Sequence, residues 1–302
     1  MIRSFALASQ WSIPKRYLRI TLYDGRELKN LKQRKVLTWA DEKANVSFST
    51  TISAYGMAAQ ANISITGLKL DTMSYLSTSY RSWEENPINN EIKIEAGYDN
   101  RHGLIYEGTI IEAIPNLTSA NFSINLKCLS LYNVRETEKL TLSYEKITVG
   151  ELIPEIAKAI GALPKVTDEA AKVEIKGYYL SNRSPNEHVR YVAQITGLNV
   201  YLDKDGLFVK KQNEPMVGYA PLKVDSSNII GAPQPTAQGC NVSIKMNPDV
   251  VAGQLVELDS ERFPKINAKD YIIGTYYHSG ETKGAKWETH LNLIRKEIYD
   301  KL

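Results

Sequence analysis

The chain has 302 residues, 43% hydrophobic and 24% charged, with 37 Lys and Arg against 34 Asp and Glu for a net charge of +3. That length exceeds one ordinary domain and divides into two or three, with enough apolar residues for proper cores. The near balance of charge excludes a dedicated nucleic-acid binder, which concentrates positive charge. In chain order, the apolar stretch from Phe5 to Ala8 is too short for a signal-peptide core. No run approaches the ~20 apolar residues that span a bilayer, so the expectation is a soluble, initially cytosolic protein with no membrane partner. Residues 1–140 read as mostly β. The runs Tyr17–Tyr23, Val46–Ile52, Ala61–Thr66, Glu91–Gly97, Gly103–Ile111 and Asn121–Cys128 alternate polar and apolar residues and are separated by turns such as Asp24-Gly25. Period-two alternation packs one face and leaves the other to water or a partner, and this many short strands argue a barrel or sandwich. Between them, Leu70, Met73 and Leu76 have the spacing of a short helix.

Residues 141–220 change character. Val149–Ile160 carries apolar residues at helical spacing, with Thr148 as N-cap, Glu151 completing a capping box and Gly161 as the stop. A strand, Val173–Tyr179, follows. Ser184-Pro185 opens a second helix that runs to Thr196 and stops at Gly197, with Glu187 placed to complete its box. Leu198–Leu202, the turn at Asp203–Gly206 and Leu207–Lys210 read as a β-hairpin. The stretch 212–240, with Pro215, Pro221, Pro233 and Pro235, reads as a linker or entry loop. Beyond it come Gly253–Asp259, Tyr271–His278 and Trp287–Ile294, runs of β-branched and aromatic residues separated by Pro264, Asn267 and the turn Gly280–Gly284. That is the pattern of antiparallel strands joined by hairpins.

Chemistry-bearing constellations are sparse. There is no glycine-rich phosphate loop. The histidines are His102, His188, His278 and His290, none paired at i,i+4 and none at metal-ligand spacing to a cysteine. No metal or cofactor is expected. Cys128 and Cys240 read as reduced structural thiols. Glu84-Glu85 are adjacent carboxylates after Trp83, a pattern more typical of surface charge than of a glycosidase pair, which needs two different environments. The basic run Lys29–Lys35 reads as a solvated loop or a protein contact, since no aromatic residue interleaves it to stack on bases.

The ordered set of strand motifs resembles the baseplate hub proteins of contractile-tailed, Mu-like phages and related injection machines. Gly253-Gln-Leu-Val, the corner Pro264-Lys-Ile-Asn267, Tyr271-Ile-Ile leading to His278, the Gly280 turn and Trp287-Glu-Thr follow the order of the last hub domain. Asn62-Ile-Ser-Ile-Thr-Gly-Leu68, and Ile94-Glu-Ala-Gly-Tyr98 followed by Ile105-Tyr-Glu-Gly-Thr-Ile110, resemble tail-tube-like domains. The likeness covers most of residues 40–294.

This resemblance implies a mainly β fold (α+β overall), with tail-tube-like β-barrel or sandwich domains at 1–140 and 221–302 flanking a small mixed α/β middle region at 141–220. It implies a structural hub and not an enzyme: a homotrimeric symmetry adaptor between the sixfold tail tube, or its initiator, and the threefold central spike. Other baseplate proteins would be neighbours, and DNA would pass the lumen without specific binding. The expected location is the virion tail baseplate, after assembly in the host cytoplasm. The Tyr-rich C-terminal strands supply the interface candidates Tyr271, Tyr276, Tyr277, His278 and Trp287. The alternative reading is a module that binds or hydrolyses cell-wall peptidoglycan, because the first helix of the middle region loosely resembles a LysM-like unit.

Overall fold

A computed structural model describes residues 14–23, 36–40, 45–54, 58–78, 89–118, 121–130, 139–204, 206–212, 214–216 and 218–296. The basic run Lys29–Lys35, the Trp83-Glu84-Glu85 segment, the turn at Asp24-Gly25 and Asp205 lie outside these residues.

The first β region contributes β1 (Arg16–Tyr23), β2 (Val36–Ala40), β3 (Asn45–Ser53), β4 (Gln60–Thr66), β5 (Glu91–Tyr98), β6 (Arg101–Asn116) and β7 (Ser123–Leu129), with the short helix α1 (Leu70–Leu76) after β4. The last region contributes β13 (Leu222–Asp225), β14 (Ile229–Pro235), β15 (Gly239–Lys245), β16 (Leu255–Asp259), β17 (Ala268–Glu281) and β18 (Trp287–Arg295). Alternation decides the faces. Val46, Phe48, Thr50 and Ile52 of β3 point inward, while Ser47, Ser49 and Thr51 point out.

These two regions do not stand apart. They form one thirteen-stranded sheet in the order β14-β15-β18-β17-β3-β4-β7-β6-β5-β1-β2, with β16 also on β17 and β13 on β16. The join is a partner switch along one edge of β17. Its first half pairs with β16, Leu255 opposite Ile272. Its second half pairs with β3, from Thr275 opposite Ser53 to Glu281 opposite Ser47. The change falls at Gly274, whose carbonyl accepts from the Ala54 N–H at 2.8 Å while the neighbouring Ile273 carbonyl accepts from Gly253 N–H at 2.7 Å. The β17–β18 register shifts at the same point, as expected of a bulge that bends a strand. The apolar core is correspondingly one cluster, running from Leu18 and Ile20 through Ile65 and Ile124 to Tyr276 and Leu293.

The far end of the β17–β18 hairpin folds onto β1 and β5 through side chains. The Arg16 guanidinium donates to the carbonyls of Glu281 (3.0 Å), Gly284 (2.7 Å) and Ala285 (3.0 Å). It also lies 5.5 Å from the Trp287 ring, whose indole N–H donates to the Gly97 carbonyl at 2.8 Å. Gly280 makes room for this packing, since a Cβ there would run into the Phe48 ring.

The middle region comprises β8 (Leu140–Thr148), α2 (Val149–Ile160), β9 (Leu163–Val166), α3 (Asp168–Ala171), β10 (Glu174–Arg183), α4 (Pro185–Thr196), β11 (Asn199–Asp203) and β12 (Gly206–Lys210). It has its own core, built from α2, Val189 and Val192 of α4, and one face of the β11–β12 hairpin. Both helices start and stop as the capping residues dictate. Glu151 accepts from the Thr148 N–H at 3.0 Å, and Glu187 accepts from the Ser184 N–H at 2.9 Å. Gly161 and Gly197 close the helices with φ of 75° and 68°, the left-handed conformation that glycine adopts without a Cβ penalty.

The segment 212–240 departs from the linker expectation. Pro221 directly precedes β13, which runs parallel to β16, and Pro233 and Pro235 lie in β14, an edge strand on β15 with a register shift between Ile230 and Gln234. Pro233 and Pro235 fit there because an edge strand has an N–H side that needs no partner.

Candidate functional site

The interface candidates divide by burial. Tyr271, Tyr276, His278 and Trp287 are between 0% and 4% exposed, so they serve the subunit's own interior. Alternation sends Tyr277, 41% exposed, to the other face. The buried polar tips take partners, except His278 Nε2, which is buried without one. Tyr271 Oη donates to the Ile266 carbonyl at 2.8 Å. His278 Nδ1 and Thr289 Oγ1 are 2.9 Å apart. Burial pushes the His278 imidazole down to about 3, with Lys204 and His290 adding to the fall.

Tyr276 belongs to the joint between the β body and the middle region. Its hydroxyl donates to Asp203 Oδ1 at 2.8 Å. The other Asp203 oxygen accepts from Ala252 N–H at 3.0 Å, and Tyr201 Oη donates to the Ala252 carbonyl at 2.8 Å. The β11–β12 hairpin is therefore buried on both faces. Val200, Leu202, Leu207 and Val209 face the helical core, while Tyr201 and Phe208 enter the β core. At the hairpin's end the Lys210 ammonium is buried and donates to the carbonyls of Gln212 (3.0 Å) and Lys211 (3.3 Å). Desolvation lowers its pKa to about 8.

On the outer face, Tyr277 stacks on His290 with ring centroids 4.1 Å apart. His290 Nδ1 lies 2.7 Å from Ser243 Oγ, and its Nε2 lies 3.0 Å from Glu288 Oε1. Tyr277, His290 and Ser243 line a cleft of about 530 Å³, walled on one side by Ile230, Gly231 and Ala232 of the β14 bulge. A hydroxyl, an imidazole and a carboxylate in line resemble the parts of a nucleophilic triad. However, they sit on a regular ladder, with Ser243 opposite His290 across β15–β18. The backbone N–H groups beside them lie in strands paired on both sides, so the preorganised donors that stabilise an oxyanion are missing from the arrangement. It reads as a hydrogen-bonded polar ladder. Sequence reasoning missed it because Ser243 and His290 meet only through strand register. The period of two that places Glu288 beside His290 was the one visible signal. Among the described residues, no group of three His, Cys, Asp or Glu is placed to hold a metal. Cys128 and Cys240 are free and buried.

The outer surface of the sheet is divided by charge. Across β1, β5 and β6, outward residues form cross-strand ion pairs, Arg19 with Glu95 at 3.7 Å and Lys93 with Glu107 at 2.9 Å. Across β3 and β4, every outward residue is Asn, Gln, Ser or Thr.

Comparison with known proteins identifies this architecture. Residues 26–290 match the family model described as baseplate hub gp41. No curated protein matches. Among solved structures, the chain is similar to the 43 kDa tail protein of prophage MuSo2 from Shewanella oneidensis, with 11% identity, a TM-score of 0.57 and coverage of 93% of this chain and 99% of that one. It is similar to the tail protein of Neisseria meningitidis MC58, with 11% identity, a TM-score of 0.61 and coverage of 94% and 98%. The E. coli c3393 protein, described as a type VI secretion component with structural similarity to bacteriophage T4 tail proteins, matches at 9% identity and a TM-score of 0.51, covering 84% of this chain and 75% of that one. At such identities these structures establish a shared fold, whereas the family model spans most of the sequence: the chain belongs to the baseplate hub gp41 family and is a structural component of the phage tail baseplate.

Proposed function

We propose that the protein is a homotrimeric symmetry adaptor, joining the sixfold tail tube, or its initiator, to the threefold central spike and leaving a channel for DNA. Two tube-like β units per subunit, near residues 1–140 and 221–302, let a trimer present a sixfold pattern above while keeping threefold symmetry below. The observation that carries this reading is the β17 partner switch, which binds both β units of a subunit into one sheet that, among the described residues, ends at β2 and β14. End strands of a sheet are where neighbouring chains add strands or must be kept off. Tyr277 at the β14 cleft is the interface residue this reading selects from the Tyr-rich strands. The protein acts without enzymatic chemistry, assembles in the host cytoplasm and resides in the virion baseplate with the spike, tube and other baseplate proteins as neighbours.

Native mass spectrometry and electron microscopy of the protein, alone and with its spike, test the proposal. A threefold ring with an open centre is expected. A twofold dimer in both preparations would overturn it.

A further inference from the structure

We propose that the β11–β12 hairpin is a proton-dependent latch between the middle region and the β body. Its turn end is locked by Asp203, while its open end, at Asn199 and Lys210, seats firmly once Lys210 gives up its proton. The inference goes beyond the adaptor reading and does not depend on it.

The two ends of the hairpin differ in how their buried polar groups are satisfied. At the turn end both Asp203 oxygens have donors, the Tyr276 hydroxyl and the Ala252 N–H. At the open end Asn199 and Lys210 stand opposite each other across the ladder. Period two puts them on the side of Tyr201 and Phe208, the face that enters the β core. Asn199 Nδ2 is buried without a hydrogen-bond partner. Lys210 is 0% exposed, and the two bonds of its ammonium go to the carbonyls of Lys211 and Gln212, just beyond the strand. A buried charge held only by carbonyls lacks the counter-charge that offsets its desolvation. The ionisable groups around it are engaged elsewhere. Glu214 is the carboxylate whose charge reaches Lys210, but its Oε2 accepts from Thr167 Oγ1 at 2.6 Å. Lys211 faces Glu169 at 3.5 Å. Tyr201 of β11 bonds to Ala252, and Asp203 to Ala252 and Tyr276 of β17. From the β body, the segment from Val250 to Gln254 brings no ionisable residue. Packing is close here, since a Cβ on Gly253 would lie 3.0 Å from Met216 Cγ and 3.2 Å from Lys210 Cε. The Gly253 carbonyl accepts from the Met216 N–H at 2.9 Å, and its N–H donates to Ile273, beside the partner switch in β17. The open end is thus seated where the middle region, its exit and β17 meet. Because the middle region has its own core, this end can loosen without unfolding it.

The sign of the effect follows from burial. Desolvation brings the Lys210 pKa from 10.5 down to about 8 in the seated form, whereas an amine reached by water keeps its ordinary value. Between those values the loosened form binds more protons, so seating gains as pH rises. Below pH 8 the ammonium stays charged in both forms, and its desolvation opposes seating. From pH 7 to pH 9 the ratio of seated to loosened forms should rise about tenfold.

The test is amide hydrogen exchange of the full chain, corrected for the intrinsic rate at each pH and read in peptides that carry Gln212, Met216 and Gly253. Wild type should gain about tenfold in protection between pH 7 and pH 9. Lys210→Met keeps the stem without the charge, and should show the higher protection already at pH 7 and no further rise. Asn199→Asp places a carboxylate opposite the ammonium and should likewise raise protection at pH 7 and flatten the profile. A flat wild-type profile would overturn the inference, as would a rise that persists in both variants. Lower protection in Lys210→Met than in wild type at pH 7 would also overturn it, by showing the ammonium to be a stabilising strap. Should Lys210→Met not fold, the wild-type profile and Asn199→Asp decide the matter between them.

Discussion

Replacing Tyr276 by Phe isolates the hydrogen bond that ties the β body to the middle region. The ring and its packing remain, and only the hydroxyl is lost. Tyr276 and Asp203 are at most 1% exposed, and the bond between them is 2.8 Å long. A bond to a carboxylate contributes about 1.5–3 kcal/mol net, and burial keeps water from replacing it. Tyr276→Phe should therefore cost about 2–3 kcal/mol. Tyr201→Phe removes a neutral bond to the Ala252 carbonyl and should cost about 1 kcal/mol. Asp203→Ala takes the acceptors from both the Tyr276 hydroxyl and the Ala252 N–H and should cost about 3–5 kcal/mol. The order of the three is the prediction. Urea titrations followed by circular dichroism and tryptophan fluorescence would read it as falling midpoints at unchanged slope. A Tyr276→Phe change below about 0.5 kcal/mol, or one smaller than Tyr201→Phe, would refute the assignment of this joint to the Asp203 carboxylate. A cycle with Asp203→Asn should show coupling of about 1–2 kcal/mol, since the two side chains touch.

Three further outcomes follow from the same interior. His278 has a folded pKa of about 3 against an ordinary histidine value of 6.5, so below pH 6.5 the unfolded chain takes up a proton that the folded chain refuses. The stability this group contributes is fully present above pH 6.5 and is lost as pH falls toward 3, about 2 kcal/mol by pH 5. His278→Gln should flatten that part of a stability-versus-pH curve measured against wild type, and an unchanged slope would refute the reading. Gly280→Ala drives a Cβ against Phe48 and Trp287 and should destabilise by about 1–3 kcal/mol in thermal unfolding through overpacking. Ser184→Ala removes the side chain that accepts from the Glu187 N–H and should cost about 1 kcal/mol, recovered in large part by Ser184→Asp.

The elements that sequence reading located best are those whose signals are local. The caps at Thr148 and Ser184, the stops at Gly161 and Gly197, and the alternation in β3, β4 and β7 each depend on residues a few positions apart. The short β2 and β9 strands and the ribbon strand β8 carry weaker patterns and were not anticipated. The strands of 222–235 were hidden because proline and glycine mark an edge strand and a loop alike. Four of the five aromatic and histidine candidates proved interior for a simple reason. Strand sequence shows which residues share a face, but which face is wet depends on what packs there. Here β17 has the core behind Tyr276 and His278, and an open cleft before Tyr277.

The partner switch in β17 also explains why two β regions distant in sequence behave as one body. A strand that pairs with β16 over one half and with β3 over the other cannot leave either without breaking ladder bonds to the second. The switch falls at Gly274, whose carbonyl accepts from the Ala54 N–H one residue after the Ile273 carbonyl accepts from the Gly253 N–H. The Arg16 and Trp287 contacts then hold the far end of the same hairpin to β1 and β5. The middle region is fixed to this body through the doubly buried β11–β12 hairpin and its Asp203 bonds. Relative motion of the two β regions is therefore opposed at both ends of one strand. The proposed adaptor role requires this, because a displacement between two tube-like units would break the sixfold match proposed for the ring.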